Sequence, residues 1–293
     1  MSLGKWARAR KIPTTVFSHE TLAGLAGRFL PLPQSLRSAL VRWHNRKLSQ
    51  SFDQVVTTTD FAAQEFHDIG APNIYKIALG VDLEIFHPSK RNEEKRQALL
   101  QGSSVLLVHC GRLSREKDPG RSIETLIELR RQGVDARLII IGMGPMWKEL
   151  RVLAQGHPIE MLGYIADRHR IAEIIACADL SFAPGPFETF CLSALESLAC
   201  GTPVVASESS AVKEMLYVKD LVPAGAIAAD NFECFASAAK MLLGSSTIRK
   251  AARTAAEKLP WTNSINLMRE LHGLTELGKN APHAVVKSKN RAA

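Results

Sequence analysis

Asp179-Leu-Ser-Phe-Ala-Pro-Gly-Pro-Phe-Glu-Thr-Phe-Cys-Leu-Ser-Ala-Leu-Glu-Ser-Leu-Ala-Cys-Gly-Thr-Pro-Val-Val-Ala206 contains a whole β-loop-α-β passage. Asp179–Phe182 is an apolar run stopped by Pro-Gly-Pro, Phe190–Ala199 has helical character, and Pro203–Ala206 is a second apolar run. Strand, helix and strand in that order form the repeating unit of a parallel sheet. Glu188 stands in the loop and Glu196 near the second turn of the helix. Two carboxylates eight residues apart reach two hydroxyl-bearing parts of one ligand, and the free N–H groups of a helix start face an anion. The plainer reading makes Glu188 an acid favoured by the helix dipole and Glu196 a surface residue. Yet Glu196 lies inside Ala-Leu-Glu-Ser-Leu-Ala, and a carboxylate on so apolar a helix needs a partner.

The same alternation extends outward. Strands are expected at Ile12–Ser18, Gln54–Thr58, Ile74–Ile77, Val105–Cys110 and Arg137–Ile141. Helices are expected at Gln34–Gln50, Phe61–Asp68, Pro119–Gln132, Pro145–Gln155, Arg168–Cys177 and Val212–Leu216. From Asp230 to Leu277 the pattern is helical only. A loop-like Gly80-Val-Asp-Leu-Glu-Ile-Phe-His-Pro88 and the charged stretch Ser89–Gln101 separate a small first unit from a larger second one. The fold class is α/β, with parallel sheets covered by helices and a first unit of only about three strands.

Val105–Cys110 runs into Gly111-Arg112-Leu-Ser-Arg-Glu-Lys117-Asp-Pro119, a polar loop before a helix opened by proline. Ligands of α/β sheets bind at the carboxyl ends of strands, and Arg112 and Lys117 at such an edge suit a diphosphate. Arg115 competes with Lys117 for that role. Ile139-Ile-Ile-Gly-Met-Gly-Pro-Met-Trp147 lacks the third glycine of a dinucleotide fingerprint and reads as a tight strand-to-helix turn. No Gly-x-x-x-x-Gly-Lys-Ser/Thr loop is present.

The chain has 293 residues, 46% hydrophobic and 23% charged, within the range of ordinary globular proteins. Five cysteines with no Cys-x-x-Cys pair suggest neither a disulfide framework nor a zinc site, and no metal is expected. The +8 charge is concentrated at the ends: nine Lys/Arg against Glu20 in residues 1–50, and four basic residues in 279–293. With 6% aromatics and no reading module, nucleic acid is not the expected partner. No apolar run reaches the roughly 18 to 20 residues of a membrane span. A cytoplasmic protein is therefore expected, with a solvated basic tail at 279–293. Ser35–Lys47 puts Leu36, Leu40 and Trp43 on one helical stripe beside Arg42, Arg46 and Lys47. The plainer expectation packs this stripe against the domain's own sheet. The alternative lays it on an anionic membrane surface, which would make the protein peripheral on the inner face.

Glu188 through Glu196, followed by Ala199-Cys-Gly-Thr-Pro-Val-Val205, resembles the E-x7-E signature of glycosyltransferase family 4. Gly111-Arg112 with Lys117 resembles that family's diphosphate clamp, Gly80-Val-Asp…Phe86-x-Pro88 its interdomain linker, and Leu162-Gly163-Tyr164 its nucleobase loop. Pro260-Trp261 and the helix after it resemble the segment that crosses back to the first domain.

The resemblance implies a GT-B-like fold of two Rossmann-like domains. It divides the chain into a partial acceptor-side domain at 1–85, a donor-binding domain at 86–261, a returning helix at 262–278 and the tail at 279–293. It implies a retaining transferase that moves a hexose, mannose favoured, from a nucleotide-sugar such as GDP-mannose to a glycolipid or glycan acceptor without a metal. Glu188 would contact the donor sugar and Glu196 the ribose. The backbones of Gly111, Phe190, Cys191 and Leu192 would approach sugar and phosphate, and Gly163 and Tyr164 the base. Arg112 and Lys117 would neutralise the leaving diphosphate, and His19 would stand near the reacting sugar. Pro-Phe-Glu-Thr-Phe is similar to the form found in GDP-mannose-dependent mannosyltransferases of glycolipids. Members of the family begin with several more strands, so the first domain is expected to be incomplete; a non-catalytic sugar-nucleotide-binding remnant is the rival expectation. Cys191 stands where glycine is usual, and Leu79 where asparagine is.

Overall fold

The computed structural model describes residues 2–274, with the backbone alone at 28 and 29. The basic tail at 279–293 lies outside the described residues. The described residues divide into two compact units, the first made of those up to 79 together with those from 262 onward, the second of 80–261.

The first unit carries α1 (Ser2–Arg8), β1 (Thr15–Ser18), α2 (Leu22–Phe29), α3 (Gln34–Ser51), β2 (Gln54–Thr57), α4 (Asp60–His67) and β3 (Ile74–Lys76). Its sheet is parallel, in the order β1-β2-β3. Val55, Ala63, Phe66 and Ile74 form its buried core. Helix α2 is absent from the sequence-based expectations because Gly24 and Gly27 weaken its helical pattern. The stripe on α3 departs from expectation. Val41, Asn45, Ser49 and Ser51 are the buried positions of that helix, whereas Leu36, Leu40 and Trp43 are exposed, with Lys47 Nζ 4.0 Å from the Trp43 ring centroid.

The second unit runs α5 (Glu93–Leu100), β4 (Val105–Cys110), α6 (Pro119–Arg131), β5 (Ala136–Ile141), α7 (Trp147–Leu153), β6 (Ile159–Gly163), α8 (Arg168–Cys177), β7 (Leu180–Ala183), α9 (Leu192–Ala199), β8 (Val204–Ser207), α10 (Lys213–Leu216), β9 (Gly225–Ala228), α11 (Phe232–Leu243) and α12 (Ile248–Ala256). All six strands are parallel, in the order β6-β5-β4-β7-β8-β9. β4 and β7 are neighbours from which the chain winds in opposite directions. A crevice opens beyond the carboxyl ends of such a strand pair.

Alternation along β4 loads both faces of this sheet. Leu107 joins Leu126, Leu138, Phe182 and Phe235 on one side, and Leu106 and Val108 join Ile139, Ile174 and Leu100 on the other. Each fully buried leucine or phenylalanine contributes about 1.5–3 kcal/mol. Asn92, Asp167 and Asn231 cap α5, α8 and α11 by accepting from the backbone N–H of Lys95, His169 and Cys234. Such caps contribute about 1 kcal/mol each.

Four differences from the sequence reading have local causes. β9 was hidden by its small residues, of which Gly225 is required because a Cβ there would lie 2.1 Å from the Val204 carbonyl oxygen. β6 is a half-buried edge strand without clear alternation. Helix α5 hides in a charged stretch. Helix α9 starts at Leu192 rather than Phe190 because Cys191 has a left-handed φ of 68°.

The segment 80–88 goes with the second unit. Val81 N–H donates to the Leu259 carbonyl and Trp261 N–H donates to the Val81 carbonyl, and Gly80 meets the backbone of Trp261 so closely that a Cβ would sit 2.4 Å away. The last helix, α13 (Trp261–Leu271), belongs from Thr262 onward to the first unit. There Ser264 Oγ donates to the Ala78 carbonyl at 2.7 Å and Gln54 Nε2 to the Leu271 carbonyl at 3.1 Å. Among the described residues no helix is long and apolar enough to cross a membrane.

Candidate active site

Loops from the carboxyl ends of β4, β5, β6 and β7 converge at the crevice. Backbone contacts link three of them: Gly111 N–H donates to Ile141, Leu113 N–H to Met143, and Gly142 N–H to Gly163. Close approach explains the paired glycines after β5. A Cβ on Gly142, whose φ is 136°, would stand 1.8 Å from the Gly111 carbonyl oxygen, and one on Gly144 2.2 Å from that of Leu113. The tight turn expected at Gly142-Met-Gly144 thus serves to seat the β4 loop.

The loop after β7 presses on the same segment. Gly185 packs against Glu116 and Lys117 so tightly that a Cβ would meet the Glu116 carbonyl oxygen at 3.0 Å and Lys117 Cα at 3.1 Å. Lys117 Nζ lies 2.7 Å from Glu188 Oε1, with the glutamate side chain 10% exposed. Ser114 Oγ donates to Glu116 within the β4 loop. The loop's other side is fixed to the segment after β8: Phe187 N–H donates to Ser209 at 3.0 Å and Ala211 N–H to the Glu188 carbonyl at 2.8 Å. Phe187 and Cys191, on either side of Glu188, have φ values of 65° and 68°. Left-handed backbone at a residue with a Cβ costs about 1–2 kcal/mol and tends to collect at functional sites.

Beneath these loops a buried Arg121 joins three segments. Its guanidinium reaches Asp118 at 2.7 Å, Asp230 at 2.7 Å and the Pro184 carbonyl at 3.0 Å. Burial disfavours the charged form of Asp230, but hydrogen bonds from Ser207, Ser209 and Arg121 outweigh it and hold the carboxyl below its usual range. His109, at the end of β4, is buried with Nδ1 2.9 Å from Ser122 Oγ, and burial pulls it down to about 4.

Glu196 projects from α9 with its side chain 19% exposed and pairs with Arg168 across 3.1 Å. Burial pushes its carboxyl up, against the pull of Arg168. Burial likewise pushes the Cys191 thiol up to about 12, with Glu188 adding to the effect.

The structure gathers Gly111, Arg112, Lys117, Gly163, Tyr164, Glu188, Phe190, Cys191, Leu192 and Glu196 in loops and helix starts at one edge of the second sheet. Arg112 is exposed and makes no ion pair among the described residues, and the Tyr164 ring is 76% exposed. Arg115, the competitor of Lys117, is exposed, whereas Lys117 reaches Glu188. His19 belongs to the other unit, just beyond β1, with its ring stacked on Phe17 at 5.3 Å. Arg168 and Arg121 were not anticipated. Arg168 answers the need of Glu196 for a partner, but 28 residues of sequence separate the two. Among the described residues no group of three or more His, Cys, Asp or Glu is arranged to hold a metal ion.

The profile of the glycosyl transferases group 1 family matches residues 90–259. A GDP-mannose-dependent alpha-(1-6)-phosphatidylinositol dimannoside mannosyltransferase of Mycobacterium tuberculosis (strain ATCC 25177 / H37Ra) is 44% identical over 262 residues, covering 89% of this chain and 67% of the relative. A GDP-mannose-dependent alpha-mannosyltransferase of Corynebacterium glutamicum is 29% identical, covering 68% of this chain and 46% of its own. Among solved structures, sucrose-phosphate synthase from Thermosynechococcus elongatus superimposes with a TM-score of 0.73 at 20% identity, covering 92% of this chain and 70% of that one. Anabaena Alr3699/HepE in complex with UDP gives 0.75 at 18% identity, covering 92% and 75%.

Proposed function

This chain belongs to the glycosyl transferases group 1 family, with the Rossmann-like units of the GT-B fold, and from that membership we propose that it transfers mannose from GDP-mannose to a phosphatidylinositol-based glycolipid. The observation that carries the proposal is the ion pair of Lys117 with Glu188 at the switch point of the sheet, in a chain 44% identical to a GDP-mannose-dependent enzyme.

In this reading Glu188 accepts hydrogen bonds from the hydroxyls of the donor sugar, Glu196 from the ribose, and Tyr164 faces the base. Phe190, Cys191 and Leu192 bring backbone N–H groups at the start of α9 to the phosphates. Gly111 lets the diphosphate approach the end of β4, and Gly163 shapes the loop that carries Tyr164. The bond from the anomeric carbon to the diphosphate oxygen breaks with its electrons going to GDP, the acceptor oxygen bonds to that carbon on the same face, and the acceptor hydroxyl's proton passes to the departing diphosphate oxygen. Negative charge grows on the diphosphate, and Arg112 and Lys117 are placed to neutralise it without a metal ion. Preorganised charge of this kind is worth most where water is excluded. His19 is assigned to the acceptor side of the reacting sugar.

The exposed Leu36, Leu40 and Trp43 on α3, flanked by exposed Arg42, Arg46 and Lys47, support docking of the first unit on an anionic bilayer. Binding to phosphatidylinositol-containing vesicles that weakens with salt is expected, and no binding at low salt would remove this part of the reading. Calorimetric titration with GDP and UDP, followed by a transfer assay from their sugars to phosphatidylinositol mannosides, tests the function. GDP binding with mannose transfer is expected. Binding without turnover would favour the non-catalytic remnant, and binding of neither nucleotide would end both.

A further inference from the structure

Arg168 opens α8 directly after its cap Asp167, and its guanidinium touches two other segments. Its NH2 lies 3.1 Å from Glu196 Oε1, and its central carbon lies 5.2 Å from the ring centroid of Phe86, a ring only 1% exposed. Stacking on a fixed aromatic ring restricts an otherwise long and mobile side chain. The other carboxylate oxygen of Glu196 makes no hydrogen bond or ion pair among the described residues. The carboxylate is thus gripped on one side and open on the other.

The remaining titratable neighbours of Glu196 do not compensate its charge. Cys110 at the end of β4 and Cys200 after α9 are thiols that burial pushes up to about 12, with Glu196 adding to the effect. On α12, Arg249 donates to the carbonyls of Ala176 and Ala178, and Arg253 to those of Leu83, Phe86 and Ala199. Arg168 is the cation that pairs with Glu196 among the described residues.

We propose that Arg168 is a positioning residue: by holding one oxygen of Glu196 it keeps that carboxylate ionised and turns the other oxygen toward the ribose diol of the bound nucleotide. The proposal rests on the assignment of Glu196 to the ribose. Burial already favours the protonated form of Glu196, and Arg168 opposes it. Removing the arginine therefore raises the pH at which the carboxylate takes up a proton and ceases to accept both hydroxyls.

Calorimetric titration with GDP from pH 5.5 to 8.5 tests this in the intact chain and in R168M, R168K and E196Q. R168M is expected to bind several-fold more weakly at the acid end and to recover as the pH rises, approaching a tenfold loss per pH unit where the carboxyl is protonated. R168K is expected to restore the profile of the unaltered protein. With 2′,3′-dideoxy-GDP, R168M and the unaltered protein are expected to bind alike. An R168M profile parallel to that of the unaltered protein, with dideoxy-GDP weakened equally, overturns the proposal while leaving the ribose assignment standing if E196Q weakens GDP binding. Unchanged GDP binding in E196Q overturns the assignment and the proposal together.

Discussion

Lys117 Nζ and Glu188 Oε1 stand 2.7 Å apart, joining the loop after β4 to the loop after β7 with an ion pair that spans 71 residues of sequence. In the proposed reading an ammonium here would both neutralise phosphate charge and fix the glutamate assigned to the sugar. K117M is expected to lower kcat by roughly 10² to 10³, as is typical for loss of one preorganised donor. E188Q is expected to fall by a similar factor. Because the two side chains act as a unit, the double variant should be little slower than the slower single one. Single-turnover rates of the four proteins check this, and simple multiplication of the two losses would show that the residues act independently.

Gly185 is the point at which these loops touch. The Cβ introduced by G185A has to displace Glu116 or Lys117 by a few tenths of an ångström, which separates Lys117 from Glu188. Transfer is expected to fall at least tenfold, since misplacement of reacting groups by 1 Å costs about 10². The melting temperature should change little because the residue lies outside the sheet. Activity equal to that of the unaltered protein would mean that the loops tolerate the shift.

Cys191 pays for its left-handed φ of 68°. C191G removes about 1–2 kcal/mol of steric cost and restores about 0.5–1 kcal/mol of chain entropy to the unfolded state. The net gain of about 0.5–1 kcal/mol should raise the melting temperature by roughly 1–4 °C. Differential scanning calorimetry reads the change, and a lower melting temperature would mean that thiol packing outweighs the backbone cost.

His109 provides a pH dependence whose sign is fixed by its surroundings. Burial lowers its value from 6.5 to about 4, so the folded chain holds the ring neutral while the unfolded chain protonates near 6.5. This contribution to stability is fully present above 6.5 and is lost as the pH falls toward about 4. The loss amounts to about 1 kcal/mol per pH unit across that window. Urea unfolding at pH 7 and pH 5 should show it, and H109Q should flatten the slope between those two points. Equal slopes in both proteins would assign the pH dependence elsewhere.

Much of the second unit was legible in the sequence because its strands are buried on both faces. Val105–Cys110 and Leu180–Ala183 therefore appear as mostly apolar runs, broken only by His109 and Ser181, ahead of glycine and proline signals. β9 escaped because a neighbouring backbone excludes a side chain at Gly225 and two of the other three residues are alanines, leaving Ile227 as a single β-branched residue to read. The resemblance to the E-x7-E signature singled out Glu188 and Glu196, and the apolar surroundings of Glu196 on its helix showed that it needed a partner. Arg168 could not be named, since it comes from a different helix and its approach depends on Phe86 from the linker. Arg121 was equally hidden: an arginine on a helix reads as solvent-exposed until Asp118, Asp230 and Pro184 surround it. The α3 stripe is the reverse case, a periodic apolar pattern that stays on the surface.

The pairing of β4 with β7 also governs how the second unit loses its structure. One half of the sheet supplies Arg112 and Lys117 and the other supplies Glu188 and Glu196, so neither half owns a complete site before the two have zipped together. On the proposed site assignment, a nucleotide held by both halves would behave as a removable staple across that seam. Its affinity should therefore appear as resistance of the whole six-stranded sheet to proteolysis, growing with the logarithm of ligand concentration above Kd.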